Sequence, residues 1–265
     1  MTEHLPLVQQ RRSFRTARAI AALLLREMTA AYGRSGLGYI WAVAEPVAGL
    51  LLLSVIFSLV FRSPPIGTSF PLFYASGLLP FMAYLDISQK VSTALRFSKP
   101  LLFYPGVTFI DAIAARALLS AVTQAMVLAV VLSGIILIFG LDVILNIPAI
   151  CLGLAMALAL GIGIGTLNCF LTARFPVWER VWAILNRPLL IISCVIFVYD
   201  RVPEGWREVL WFNPLVHVVG QMRMGIYPTY AGDYVSPLFV FGVALTCFAA
   251  GLALLARYRS DIIND

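Results

Sequence analysis

Covalent chemistry needs nucleophiles, acids or metal ligands at workable spacings, and this chain of 265 residues offers few. Its only lysines are Lys90 and Lys99, and neither follows a glycine. No GxxxxGK[ST] phosphate loop exists, so the Walker route to ATP is closed to this chain. HExxH, GxSxG and a close carboxylate pair in a polar setting are also missing. His4 lies in the N-terminal tail, leaving His217 with no nearby cysteine or carboxylate in sequence. A hydrogen-bonded structural role is expected for it, and no metal site. Cys151, Cys169, Cys194 and Cys247 all sit inside apolar runs without CxxC spacing, which reads as small buried hydrophobes.

The ionisable residues nearest to apolar stretches are Glu45, Asp86, Asp111 and Arg116. A charge in lipid is costly. These four are therefore expected at the cytoplasmic interface, paired with one another, for instance Asp86 with Arg116. A proton relay would place carboxylates near mid-membrane, and nothing here resembles a coupling-ion site.

The elements that carry these residues follow from composition. Hydrophobic residues make up 61% of the chain and charged residues 12%, and the mean hydropathy is +0.91. Soluble domains average about a quarter charged residues, so the length is better converted into membrane spans of about 20 apolar residues each. Five stretches stand out, at about 39–61, 112–139, 145–172, 182–199 and 236–256. A sixth, about 71–92, is interrupted by Pro80, Asp86 and Lys90 but is otherwise apolar or small over Phe70–Leu85. No cleavable leader is expected before them, and the first span is expected to direct insertion.

The positive-inside rule supports six spans with both termini in the cytoplasm. On that count the inner segments hold 15 of the 19 basic residues, leaving Arg62, Arg201, Arg207 and Arg223 outside. The expected fold is an all-α integral membrane protein forming a single domain over 1–265. It has an amphipathic helix at 11–33, then a six-helix membrane domain over 38–257. In the 11–33 segment, Arg11, Arg15, Arg18 and Arg26 fall within a sector of about 80° on a helical wheel. Ala17, Leu24, Met28 and Ala31 lie opposite. Such a helix is expected along the cytoplasmic membrane surface.

The last outer segment, about 200–235, is long and rich in Trp and Tyr. Asn213-Pro214 predicts an N-cap and first helical position, with the helix running to about Gly225 and Pro228 as a stop. Short re-entrant helices would fit if protein or a wet cavity satisfies their ends; an aromatic interfacial belt is the plainer alternative. Gly161 and Gly165 have GxxxG spacing in the fourth span, which predicts close intramolecular helix packing.

The run Tyr32-Gly33-Arg34-Ser35-Gly36-Leu37-Gly38-Tyr39-Ile40-Trp41, followed by Glu45-Pro46, resembles the start of permease subunits of bacterial polysaccharide ABC exporters. The segments Phe109–Leu119 and Trp211-Phe212-Asn213-Pro214-Leu215-Val216-His217-Val218-Val219 resemble the capsule-export branch of Gram-negative bacteria. The likeness runs over nearly the whole chain. It implies an inner-membrane half-transporter, not an enzyme, that pairs with a second copy and stands on two cytoplasmic ABC ATPase subunits. ATP and Mg would be bound by those subunits, and no cofactor by this chain. It also implies a lipid-linked capsular polysaccharide as substrate, a periplasmic-facing inner-membrane export protein and an outer-membrane export channel, with no role for nucleic acid.

Under that resemblance, Arg26 and the inner loop Arg96–Thr108, with Arg96, Lys99, Pro100, Tyr104 and Pro105, are expected to meet the ATPase. Phe57, Phe61, Phe73, Tyr74, Phe81 and Tyr84 are candidate stacking faces for a sliding sugar polymer. Trp211, Asn213, Pro214, His217 and Arg223 are expected at a periplasmic gate, with Arg223 available to an anionic polymer or lipid phosphate. The alternatives are a related permease for O-antigen or teichoic acid, a membrane glycan or lipid transferase, and a non-transporting scaffold.

Overall fold

The computed structural model describes residues 15–32, 38–102 and 108–258, and all regular structure among them is helical. The helices are α1 (Arg15–Tyr32), α2 (Gly38–Val60), α3 (Phe70–Ser92), α4 (Ala94–Leu102), α5 (Phe109–Phe139), α6 (Ile147–Arg174), α7 (Trp178–Ile192), α8 (Glu204–Trp211), α9 (Pro214–Ile226) and α10 (Pro237–Arg257), with one 3-10 turn at Tyr199–Arg201.

Local chemistry sets many of these boundaries. Thr108 and Asp111 form a reciprocal capping box at the start of α5, and Gly140 ends it in the left-handed region at φ 57°. Asn146, Asn213 and Ser236 cap α6, α9 and α10 through their side chains, each followed by proline in the first helical turn. The Asn-Pro signal thus gives the helix read from sequence, ending one residue beyond Gly225.

Among the described residues, five helices are long and apolar enough to cross a membrane: Ile40–Val60 within α2, then α3, α5, α6 and α10. The stretch 182–199 behaves differently from its expected span. Its helix, α7, stops at Ile192 after 15 residues, and the chain continues as irregular backbone in which Cys194 takes φ 58°. The apolar composition of 193–198 serves burial rather than helix.

The interrupted stretch at 71–92 is a helix, and its weak hydropathy has a physical reason. α3 is the least apolar of the five, at a mean hydropathy of 1.3, yet 72% of its best window is buried inside the protein; no other exceeds 39%. A helix enclosed by its own chain faces side chains instead of lipid, so it accommodates Ser76, Asp86 and Ser88 with little contact with hydrocarbon. α6 packs most closely against α3 and α10. A Cβ at Gly161 or Gly165 would strike Ile87 and Val91 of α3, and one at Gly163 would strike the backbone of Ala244 on α10. The small-residue run therefore serves two intramolecular seams.

Candidate functional site

Two groups of the residues singled out by sequence lie at the opposite ends of α3. At its C-terminal end α1, α4 and α5 meet around Phe97. The Arg116 Nε donates to Glu27 at 3.1 Å, and its Nη1 donates to the Lys90 carbonyl at 2.9 Å and Thr93 Oγ1 at 2.7 Å. Both charged side chains of that ion pair are about nine-tenths buried, at 10% and 9% exposure. Arg116 and Arg26 lie over the Phe97 ring, at 4.2 and 4.9 Å from its centroid, and Arg26 also donates to the Phe97 carbonyl. Cation–π contact and the ion pair together tie α1 to α4 and α5.

This corrects the expected pairing of Asp86 with Arg116. Asp86 instead pairs with Lys90 one turn along α3, at 2.9 Å, and accepts from Ser120. Arg116 lies where Glu27 reaches it. Asp111 is a helix cap, and Glu45 is exposed on α2 with no ion pair seen among the described residues. The expected inner loop is also helical over its first part: Arg96, Lys99 and Pro100 lie in α4, while Tyr104 and Pro105 fall outside the described residues. Arg96 makes two hydrogen bonds to Glu179 at the start of α7, at 2.9 and 3.4 Å.

At the other end, α9 meets the irregular backbone after α7. An interrupted helix leaves carbonyls without partners, and in a non-aqueous setting each must find a donor. α9 supplies them. Asn213 Nδ2 donates to the Ile192 carbonyl and Ser193 Oγ, at 3.3 and 3.1 Å. Arg223 Nη1 and Nη2 donate to the carbonyls of Phe197 and Val195, each at 2.9 Å. The guanidinium is fully buried and lies 4.7 Å from the Phe73 ring centroid. The irregular segment reaches that position because Gly77 of α3 has no Cβ to meet the Val195 carbonyl.

His217 is buried beside this latch. Its Nδ1 accepts from the Ser236 N–H at 3.1 Å, at the N-cap of α10, and its Nε2 faces the Trp211 carbonyl at 2.7 Å. This pair of partners requires the neutral tautomer with the proton on Nε2, and burial pushes the imidazole pKa down from its ordinary value. Trp211 donates to the Tyr234 carbonyl at 3.2 Å and stacks on Phe239 with centroids 5.1 Å apart.

Two further expectations are corrected by the packing. Arg223 has both terminal nitrogens committed to backbone carbonyls, so it is not presented to a polymer or a lipid phosphate. Phe73, Tyr74, Phe81 and Tyr84 are core residues with 0–2% exposure; α3 is the enclosed helix, and its aromatic rings pack against protein. Phe57 is half-buried and Phe61 exposed, stacked with centroids 5.9 Å apart, so these two alone of the six have open faces.

Sequence reasoning missed Glu27, Phe97, Glu179 and Ser236. Glu27 carried a usable signal: it is the one carboxylate of α1 and borders the apolar face of an otherwise basic helix. The partners of Arg223 are main-chain carbonyls, which no side-chain pattern could reveal.

Residues 18–227 match the family model described as ABC-2 type transporter. The chain is 34% identical over 246 residues to the polysialic acid transport protein KpsM of Escherichia coli, covering 93% of this chain and 95% of that protein. It is 25% identical to the capsule polysaccharide export inner-membrane protein CtrC of Neisseria meningitidis, covering 92% of each. It is 22% identical to the capsule polysaccharide export inner-membrane protein BexB of Haemophilus influenzae, again over 92% of each. With spanning helices, a family match over most of its length and relatives aligned nearly end to end, the chain belongs to the ABC-2 type transporter family of membrane proteins.

Proposed function

We propose that this chain is the inner-membrane permease subunit of an ATP-driven exporter of lipid-linked capsular polysaccharide. The observation that carries the reading is the near full-length likeness to KpsM, CtrC and BexB, whose names are those of polysialic acid transport and capsule export proteins. A chain without a phosphate loop must draw its power from elsewhere, so two cytoplasmic ATPase subunits, holding ATP and Mg, complete the machine beneath two copies of this permease. The six-pass, both-ends-inside topology belongs to this proposal. In it α7 and the backbone after it together make the fifth crossing, with the donors of α9 replacing the missing helical turns.

The arrangement suits the two tasks of an exporter. On the cytoplasmic side, α1 and α4 share Phe97, Arg26 and Arg116, so a push on α4 from an ATPase would reach α1 and α5 as one body. The Arg96–Glu179 pair would carry the same push to α7. On the periplasmic side, α9 and the irregular segment it holds form the gate, with Trp211, His217 and Arg223 as its fasteners. Phe57 and Phe61 would offer stacking faces to sugar rings. An O-antigen permease is the second reading, supported by 24% identity to the O-antigen export system permease protein RfbA of Klebsiella pneumoniae over 88% of this chain.

Deleting the gene in its host tests the proposal. Capsular polymer retained inside the cell, and restored to the surface by the wild-type gene, is the expected result. Normal surface capsule in the deletion, with no paralogue present, would overturn it, and loss of O-antigen instead of capsule would favour the second reading.

A further inference from the structure

Glu45 is a carboxylate within the apolar stretch Ile40–Val60 of α2. It is exposed, and no ion pair is seen for it among the described residues. Trp41, Ala48, Leu52, Val55 and Leu59 are exposed on the same side of the helix. With Glu45 they recur at alternating spacings of four and three residues, the repeat of a helix that packs lengthwise against another. Lipid suits the apolar members of that stripe but not Glu45, because an ionised carboxylate in hydrocarbon is costly and calls for a partner.

The complement stands on α7. Arg187 is likewise exposed and in no ion pair among the described residues, and Ile184 and Ile191 flank it on the same open face. The two helices rise from the same side. Glu179 at the start of α7 is held by Arg96 of α4, and α2 begins beside α1, which Arg26 ties to Phe97 of α4. At 1.5 Å per residue, Glu45 stands roughly 10 Å along α2 from Gly38, and Arg187 roughly 13 Å along α7 from Trp178. Lys99, Arg174, Arg180 and Arg257, the other described basic residues of that side outside ion pairs, sit in the first or last turn of their helices. Arg187 is the one that matches Glu45 in depth.

A second copy of the chain brings the two together, and the charges decide how. α2 laid on α2 would set Glu45 against Glu45, and α7 on α7 would set Arg187 against Arg187. α2 of one copy on α7 of the other joins unlike charges, and a two-fold axis makes that contact twice. We propose that Glu45 of each copy is met by Arg187 of the other, giving two interchain ion pairs in the half of the membrane nearer α4. On an otherwise apolar seam such a pair sets which helices join, and in what register, more than how tightly they hold. The inference rests on the pairing of two copies in the proposed function; the ion pairs and the register are what it adds.

The test co-expresses two full-length copies with different affinity tags and measures how much of one copurifies with the other after mild detergent extraction. Glu45→Arg in both copies, or Arg187→Glu in both, should lower that yield at least about tenfold, since like charges then meet at both contacts. Pairing a Glu45→Arg copy with an Arg187→Glu copy puts one Glu and one Arg back at each contact, and the yield should return to within about twofold of wild type. An ion pair within a single chain predicts no such recovery, and its absence would overturn the proposal; so would single variants that pair as well as wild type. Crosslinking with both charges intact guards against variants that misfold. Ala48→Cys in one copy and Ile191→Cys in the other, one turn further along each helix, should form a disulfide on mild oxidation, whereas Ala48→Cys in both copies should not. The four native cysteines, present in every arm, give the background. The reverse crosslinking pattern would refute this seam and leave the two-copy reading standing. Wild-type tags that fail to copurify would remove that reading and this inference with it.

Discussion

Arg223 offers a perturbation whose outcome runs against chemical similarity. The wild-type guanidinium spends two donors on the carbonyls of Val195 and Phe197 and lays its face over Phe73. Arg223→Lys keeps a positive charge in the same fully buried position but replaces a planar fork by a point charge on a shorter reach. One charge-assisted hydrogen bond is lost, worth about 1.5–3 kcal/mol, and one carbonyl is left without a donor, at about 1–3 kcal/mol. The cost of burying charge is undiminished, so the loss should total roughly 2.5–6 kcal/mol. Arg223→Met orphans both carbonyls but removes the buried charge, and the two effects oppose each other. The conservative variant should therefore be the less stable. At about 2–4 °C per kcal/mol for a chain of this size, Arg223→Lys should melt roughly 5–24 °C below wild type. Cys194 supplies a second readout, because its side chain has 0% exposure in the segment that Arg223 holds. Maleimide labelling at Cys194, read by peptide mass spectrometry, should accelerate in the lysine variant. Unchanged melting together with unchanged labelling would refute the latch. A methionine variant much less stable than the lysine one would show that charge, not the fork, matters.

Three other outcomes follow from named contacts. The Arg96–Glu179 pair is 67% and 40% exposed, so charge reversal at Arg96 should change the melting temperature little, at most about 1 kcal/mol in stability. If the pair transmits motion, Arg96→Glu should uncouple ATP hydrolysis from export and the double swap with Glu179→Arg should restore it; no rescue would assign Arg96 to a contact outside this chain. His217 is neutral in the fold with its pKa lowered, so the unfolded state takes up the proton first as pH falls below about 6.5. Stability should then drop by up to about 1.4 kcal/mol per pH unit until the folded-state pKa is reached, and remain flat above pH 7. Melting curves from pH 5 to 8 check this, and His217→Gln should remove the slope. Gly163→Val should force α6 from the Ala244 backbone and prevent a stable fold, whereas Gly134→Val, where an added Cβ meets nothing, should be tolerated; equal expression of both would refute the seam.

The helices were largely legible because hydropathy and capping are local. Asn213-Pro214 announced α9, and Gly161 with Gly165 announced a close seam, since each signal depends only on neighbours in sequence. Where reading failed, the deciding partner was distant. The weak stretch at 71–92 became the most enclosed helix because its surroundings are protein, a fact invisible to an average over its own residues. The stronger-looking stretch at 182–199 gave a shorter helix, because Arg223 and Asn213 satisfy carbonyls that a continuous helix would have satisfied internally. Asp86 was matched to the wrong cation since Glu27 lies 89 residues from Arg116. The four aromatic residues of α3 could not be assigned to wall or core from spacing, as both roles select the same side chains.

What joins the two ends is α3 itself. Its last turn and C-cap supply the Lys90 carbonyl and Thr93 hydroxyl to Arg116. Its first turns supply Phe73 beneath Arg223 and the gap at Gly77 that admits Val195. The helix of 23 residues between them is about 35 Å long. It is sheathed by protein and gripped by α6 at Gly161 and Gly165, where no Cβ intervenes. A close-packed element cannot bend smoothly to absorb a displacement at one end; it shifts as a unit or yields at a weak point. Pro80 is the one proline inside α3 and lies between the two anchored ends, where its missing N–H removes a hydrogen bond from the ladder. In the proposed exporter, a force applied to α4 would reach Phe73 either as translation of the whole helix or as flexing about Pro80. Restoring that hydrogen bond with Pro80→Ala would favour the first and leave the second without its hinge.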